Sequence, residues 1–384
     1  MLEMTHRERV MAALNHRQPD RTPIDFGGTF TTTIFQAAYE RLKDHLGLEH
    51  ETGIYSKTRR LAVPDVSVLE RFDVDTRMVG LGAYAGDQHE IDDDTYFDEW
   101  GTTWKKADDG HYLYVDGPFF AQKKPGQAGM DKLDNGAWPD PDNPGYYEGL
   151  LERSQAQRAT GCAVILNMPI GIIHQGQFLR GFGDWLKDLY KNREFSARMM
   201  DIIADRWIAV AENALDIVGD NIDIVFLGDD LAAQMAPLFD PVIYRELIKP
   251  RHARMLAAVK AKADVKVLYH SCGAVSGLID DLIDIGVDAI NPVQVAANDM
   301  NPADLKVRFG DRITFWGGID TQGVLPFGTG EDVRAEVRRT IDILAPGGGF
   351  VLNSVHNIQG DVAAENIVAM FDEARLYDSP YSSS

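Results

Sequence analysis

In the stretch VKVLYHSCGAV, alternating apolar positions run into His270 and Cys272, two residues apart at the end of what reads as a buried strand. Side chains two apart on a strand share a face. Imidazole nitrogen and thiolate sulfur are preferred zinc donors, and a catalytic zinc takes three protein ligands and leaves a fourth position open. His356, beyond a later strand, is the candidate third ligand, and Asp229, Asp230 or Asp320 could add an oxygen. The pair also fits plain packing, with Cys272 as a small buried hydrophobe and His270 as a hydrogen-bonded strand-end residue. The spacing leaves both readings open.

Other polar residues gather at similar positions. Asp229 and Asp230 end the run IDIVFLGDD. One aspartate there is a common helix cap; two exceed that need, which makes them candidates for catalysis or substrate orientation. Asn291, Gln294, Asp320 and Asn353 close further apolar runs and are candidate substrate contacts. The segment NMPIGIIHQGQFLRG adds His174, Gln175 and Gln177, read as a cavity-lining loop. Its shortage of charge suits an aromatic or small neutral substrate. In WGGID, Gly317 and Gly318 permit either a tight turn or close backbone approach to a ligand. Cys162 precedes its strand and belongs at the opposite end.

These residues need a frame that brings them together. From residue 150 onward, short and nearly continuous apolar strands alternate with amphipathic helical stretches: AVILNMP, IDIVFLGDD, VKVLYHSCG, DAINPVQ, ITFWGGID and FVLNSVH. That alternation predicts a parallel sheet covered by helices. TPIDFGG and DTRMVGL bring the number to eight, which closes a (β/α)8 TIM-type barrel. A doubly wound sheet is the weaker alternative, because no Gly-x-Gly-x-x-Gly turn follows any strand. In a barrel all the strand ends above open onto one mouth. Thr5 and Glu8 form a capping box for an N-terminal helix. Residues 88–121 alternate aromatic, threonine and polar residues around Asp-Gly, the pattern of a β-hairpin. We therefore expect one barrel domain over 1–384, with 85–145 as an insertion carrying an antiparallel element and a surface loop.

Composition narrows the function. A formal net charge of −21 over 384 residues argues against nucleic acid and anionic membranes as partners. Two cysteines cannot build a disulfide framework and fit a reducing compartment. Neither a signal-peptide pattern nor a membrane-length apolar run is present, so a cytoplasmic location is expected.

The segments RERVMAALNHRQPDRTPIDFGG, HSCG, FWGGIDTQGVLPFGT and GGGFVLNSVHNIQGDVAAENIVAMFDEAR together resemble the uroporphyrinogen decarboxylase superfamily over nearly the whole chain. The resemblance implies a (β/α)8 barrel and one of two chemistries. One branch decarboxylates the acetate arms of a tetrapyrrole without a cofactor. Its RQAGRY-type segment holds substrate carboxylates by arginine, whereas GGTFTTTIFQAAYERL has none before Arg41. Asp73 or Asp75 would stand for that branch's catalytic aspartate, and His356 matches its HGI histidine. The other branch comprises zinc-dependent methyltransferases that exchange methyl groups with a corrinoid protein. Its His-x-Cys motif matches His270 and Cys272, with His356 where family members place a second cysteine. GDDLAAQ, which includes Gln234, and VHNIQ are similar to the methyltransferase components of O-demethylase systems acting on methoxylated aromatics or related ethers.

The resemblance thus implies zinc on His270, Cys272 and His356, with Asp229 or Asp230 orienting a small-molecule methyl donor. It also implies a corrinoid (cobalamin) protein as partner and a homodimer. The alternative is a cofactor-independent decarboxylase of another carboxylate, using an aspartate and His356.

Overall fold

The computed structural model describes residues 3–49, 51–56, 60–86, 89–108, 110–169 and 171–377. Seven parallel strands form the central sheet: β1 (Thr76–Gly80), β2 (Ala163–Asn167), β3 (Ile224–Gly228), β4 (Lys266–His270), β5 (Ala289–Asn291), β6 (Thr314–Trp316) and β7 (Phe350–Val351). Each pairs with its neighbours in sequence order. Residues 23–25 close the ring. Ile24 bridges Leu352 in parallel, Asp25 N–H donates to Leu352 O at 2.9 Å, and Asp75 N–H donates to Ile24 O at 2.9 Å. The eighth position is therefore held by a short extended segment begun by Pro23, and the fold is the TIM-type barrel that the strand pattern predicts.

The strands read as continuous apolar runs because both faces are buried. Ala163, Ile165, Ile224, Phe226, Leu268, Ala289, Trp316 and Val351 fill the lumen. Their sequence neighbours Val164, Leu166, Val225, Leu227, Val267 and Tyr269 pack outward with the helices. Helix α1 (His6–Leu14), opened by the Thr5–Glu8 capping box, inserts Val10, Ala13 and Leu14 into the lumen cluster and plugs the N-terminal end. The C-terminal end stays available for a site.

Between β1 and β2 the chain builds an antiparallel sheet of His89–Asp92, Thr95–Phe97, Thr103–Lys106 and Tyr112–Asp116. It leans on helix α2 (Ile172–Arg180) through Trp104 against Phe178 (ring centroids 4.9 Å apart) and Gln177 Nε2–H donating to Tyr114 Oη at 3.0 Å. The segment expected as a cavity-lining loop is thus a helix. Its N-terminus is satisfied from far away: Asp229 accepts from the N–H groups of Ile173 and His174, both at 3.0 Å. A cap supplied 55 residues downstream leaves no local signal. Among the described residues, no helix is long and apolar enough to cross a membrane.

Candidate metal centre

Strand parity decides which polar residues reach the mouth. Leu268 faces the lumen, so His270 and Cys272 follow it on the same side; Ala289 does the same for Asn291, and Phe226 for Asp230. One ligand atom each from His270, Cys272 and His356 lies within 4.8 Å of the other two. Cys272 Sγ is 3.3 Å from His270 Nε2, and the His270 and His356 rings are 5.5 Å apart. A tetrahedral zinc with ordinary Zn–N and Zn–S bonds separates such a pair by about 3.5 Å. The donor set therefore fits zinc.

The imidazole of His270 is oriented from behind. Asn291 Nδ2–H donates to Trp316 O at 3.2 Å, which leaves Asn291 Oδ1 to accept the Nδ1–H of His270 at 2.7 Å. Thr31 Oγ1–H donates to the same Oδ1 at 3.2 Å. Nε2 of His270 is thereby the lone-pair nitrogen and points at Cys272. Holding a ligating histidine by its other nitrogen fixes both tautomer and ring direction.

Asp229 and Asp230, adjacent in sequence, face opposite ways. Asp230 reaches the mouth: Oδ1 accepts Cys272 N–H at 2.8 Å and lies 3.6 Å from His270 Nε2. Burial and the nearby Asp230 push the Cys272 thiol well above its ordinary pKa, so a cation is what would make it a thiolate. Asp229 lies fully buried between sheet and helices, where it caps α2 and lies 2.9 Å from His252 Nε2. The oxygens of Asp229, expected as a catalytic group, meet the N–H groups of α2, His174 and His252. Burial opposes charge on His174, but its bonds to Asp229 and Asp230 outweigh that and raise its pKa to about 9. Burial opposes charge on Asp229 as well, but its contacts with His174 and His252 hold its pKa at about 2.

The other expected residues divide. Gln294 Oε1 accepts Gly273 N–H at 2.7 Å and its Nε2 donates to Gln234 Oε1 at 2.9 Å, so this pair braces the turn carrying Cys272. Asn353 Nδ2 donates to Asp25 O and Thr32 O, tying the chain after β7 to the N-terminal segment that closes the ring. Asp320 lies with Glu336 and Arg339 beside a separate cavity, away from the cluster. Of the expected substrate contacts, Asn291, Asn353, Gln234 and Gln294 hold backbone, each other or His270, and Asp320 lies apart from the cluster. His174 also serves position, and Gln177 holds Tyr114. Gln175 lines an aromatic cavity.

Gly317 and Gly318 have φ of 103° and 115°, a backbone conformation that only glycine adopts readily, as a tight turn there requires. Asp73 and Asp75 sit at the opposite end of the barrel with Arg9 and Arg21, so neither is the decarboxylase aspartate. Sequence reasoning missed His252, on α3 (Lys249–Lys262), and also Thr31, Phe35 and His111 at the mouth. Parity along β3 was the available signal for the aspartates; none was available for His252, whose helix shows no polar spacing of note.

The closed barrel with a His-x-Cys strand end and a converging histidine defines a metal-competent TIM-type site. The family model for uroporphyrinogen decarboxylase (URO-D) matches residues 170–377, more than half of the chain, and the chain belongs to that family. It is similar to the methylcobamide:CoM methyltransferase MtaA of Methanosarcina barkeri, with 29% identity over 187 residues that cover 47% of this chain and 52% of that protein. The chain thus spans about half the length of that curated relative. A uroporphyrinogen decarboxylase of Thioalkalivibrio sulfidiphilus is 31% identical over 74 residues, 19% of this chain and 20% of its own. Among solved structures, a methyltransferase from Methanosarcina mazei superposes with a TM-score of 0.68 at 17% identity, covering 97% of this chain and 99% of its own; this shows the shared fold.

Proposed function

We propose that the protein is a zinc-dependent methyltransferase that moves a methyl group from a methoxylated small molecule to a corrinoid carried by a separate protein. The observation that carries this reading is the convergence of His270, Cys272 and His356, with the lone pair of His270 aimed into the cluster by Asn291. The similarity to a methylcobamide-dependent relative supports corrinoid as the acceptor.

Bound there, zinc would supply a Lewis acid that polarises the ether oxygen and so makes its methyl group more electrophilic. The protein's own residues do the rest. Asp230, held by His174 and by Cys272 N–H, sets a fixed negative charge beside His270. Phe30, Phe35, Phe178 and Phe226 form the apolar part of the wall of the adjoining chamber of about 300 Å³. Among the described residues, no lysine or arginine lines that chamber, and its His174 is already paired with Asp229 and Asp230, so a polycarboxylate finds no guanidinium clamp; this weighs against the decarboxylase alternative. The same reading takes the protein to act in the cytoplasm and as a homodimer.

Elemental analysis of protein purified without chelator tests the metal. About one zinc per chain, together with zinc-dependent methylation of a reduced corrinoid read by its visible spectrum, is the expected result. A folded protein that binds no added zinc, yet releases CO2 from a carboxylate substrate, would sink the proposal in favour of the lyase.

A further inference from the structure

Asn357, next in sequence to His356, lines the chamber at His270 and is only 4% exposed. Its surroundings clamp it. Ile358 N–H donates to Thr33 O and Phe35 N–H donates to Ile358 O, both at 2.9 Å, and Ile34 bridges Ile358 in parallel. That pairing brings Thr33 N–H onto the side-chain amide of Asn357, where Oδ1 accepts it at 2.9 Å. A backbone N–H can only donate, so the atom it meets is the amide oxygen and the orientation of the amide is fixed. Gln359 Nε2–H donates to the main-chain oxygen of Asn357 at 2.8 Å and holds the turn from the other side.

The other half of the amide is unspent. Among the described residues, Asn357 Nδ2 donates to no protein atom. It also differs from the sealed orphan donors of the chain, such as Trp185 Nε1 and Gln175 Nε2, because it keeps accessible surface, and the space it borders is the chamber. The neighbouring polar groups there are already engaged. Thr31 Oγ1–H donates to Asn291, and Asp230 accepts Cys272 N–H and lies 3.4 Å from His174 Nε2. Asn357 thus places a neutral donor, locked by the backbone of another segment, in the same enclosed space as His270 and His356. A donor held in advance costs no reorganisation when an acceptor arrives.

We propose that Asn357 is a specificity-determining residue: its Nδ2–H donates to the ligand atom that takes the open position of a metal on His270, Cys272 and His356, and it selects oxygen there over sulfur. Oxygen is a strong acceptor and sulfur a weak one. The part this plays in methyl transfer rests on the methyltransferase reading. In that reaction the C–O bond breaks with its electron pair left on the oxygen, while the electron pair of the reduced corrinoid forms the new bond to the methyl carbon. Solvent supplies the proton that completes the alcohol. The oxygen gains negative charge where Nδ2–H waits, so the hydrogen bond strengthens as the methyl group leaves.

The test loads the full chain with cobalt(II), whose visible absorption responds to a ligand at the metal, and titrates it with phenol and thiophenol. The probes share a ring and differ in the donor atom. Phenol should bind saturably to the unmodified chain. Asn357→Ala should weaken phenol about tenfold and leave thiophenol within about twofold. Asn357→Asp keeps an acceptor for Thr33 N–H and removes the donor; its added charge acts on both probes, so the phenol-to-thiophenol affinity ratio should fall there too. Each ratio compares one variant with itself, so a loss of folded protein cannot mimic it. No phenol binding by the cobalt-loaded unmodified chain, or an unchanged ratio in both variants, overturns the proposal even if methyl transfer is found. A ratio that follows Asn357 without methyl transfer from any methoxylated substrate would keep the residue's role and remove the methyltransferase reading. A chain that holds neither cobalt nor zinc would remove both.

Discussion

The two ends of this barrel carry the same kinds of residue and do opposite things with them. At the closed end, Asp75 is fully buried and accepts from Arg9 Nη1 and Arg21 Nη1, both at 2.7 Å, from Ile24 N–H at 2.7 Å, and meets His6 Nδ1 at 2.8 Å. Asp20 and the carbonyl of Met4 take further donors of Arg9, and Asp73 and the carbonyl of Thr22 further donors of Arg21. At the open end, Asp229 and Asp230 face imidazoles instead: His252, His174 and His270. Guanidinium has five donors and no lone pair, so a carboxylate paired with it is electrostatically finished. An imidazole bonded at one nitrogen still offers the other. The lesson is that ligand capacity at this fold's mouth comes from which cation faces each acid, not from the acids themselves.

That contrast is broken most severely at His270 and Cys272. His270→Ala and Cys272→Ser should each lose bound zinc and lower methyl transfer by roughly 10³-fold or more, the scale of several kcal/mol supplied by a Lewis acid. Full metal content and turnover in both variants would show that the open end is no metal centre. Thermal unfolding should move less than with changes at the closed end, because these side chains face a cavity.

Asp75→Ala tests the closed end. It leaves Arg9 and Arg21 buried with fewer partners, and breaking such a network costs about 3–5 kcal/mol of stability. Zinc per folded chain should not change. Asp75 also has a pH signature. Burial alone would raise its pKa, but the contacts with His6, Arg21 and Arg9 outweigh that and hold it below 3.8. Its stabilising contribution is therefore full above the ordinary carboxylate range and fades as pH falls below it. Urea unfolding of the unmodified chain should lose more stability between neutral pH and pH 3 than Asp75→Ala does. Equal losses would mean that the network contributes nothing.

Much of this was legible in the chain before folding, and the reasons are specific. Two-sided burial makes β2, β3 and β4 read as unbroken apolar runs, so strand number and barrel closure followed. His270 and Cys272 stood out because a period of two puts them on one face. The same rule, applied to Asp229 and Asp230, separates them into opposite layers, and neglecting it made both look catalytic. What could not be read is what distant segments supply. Asp229 caps α2 from 55 residues downstream, His252 approaches from a helix with no telling pattern, and Asn291 reveals its task only beside Trp316 O and His270.

Asn291 gives the intermediate test. Asn291→Ala frees His270 Nδ1 and lets the ring turn, which should weaken zinc affinity about 10–100-fold, as measured against a competing chelator. Unchanged affinity would mean that the mouth aligns His270 by packing alone, and the proposed difference between the two ends would lose its finest element.

The smallest effect is expected at the other cysteine. Cys162 stands just before β2 at the closed end, buried, with its thiol 3.6 Å from Val74 O. Burial raises its pKa, and among the described residues it joins no cluster of metal-ligating side chains, so it stays a thiol. Cys162→Ser places a hydroxyl where a backbone carbonyl can accept its proton, so stability should change by about 1 kcal/mol at most. Zinc content and methyl transfer should match the unmodified chain. The two cysteines then differ only in address: the same sulfur is inert beside a carbonyl at the closed end and a ligand beside two histidines at the open one. Loss of zinc in Cys162→Ser would contradict that, because Cys162 packs against Val74 O at the closed end and the cluster at the open end comprises His270, Cys272 and His356.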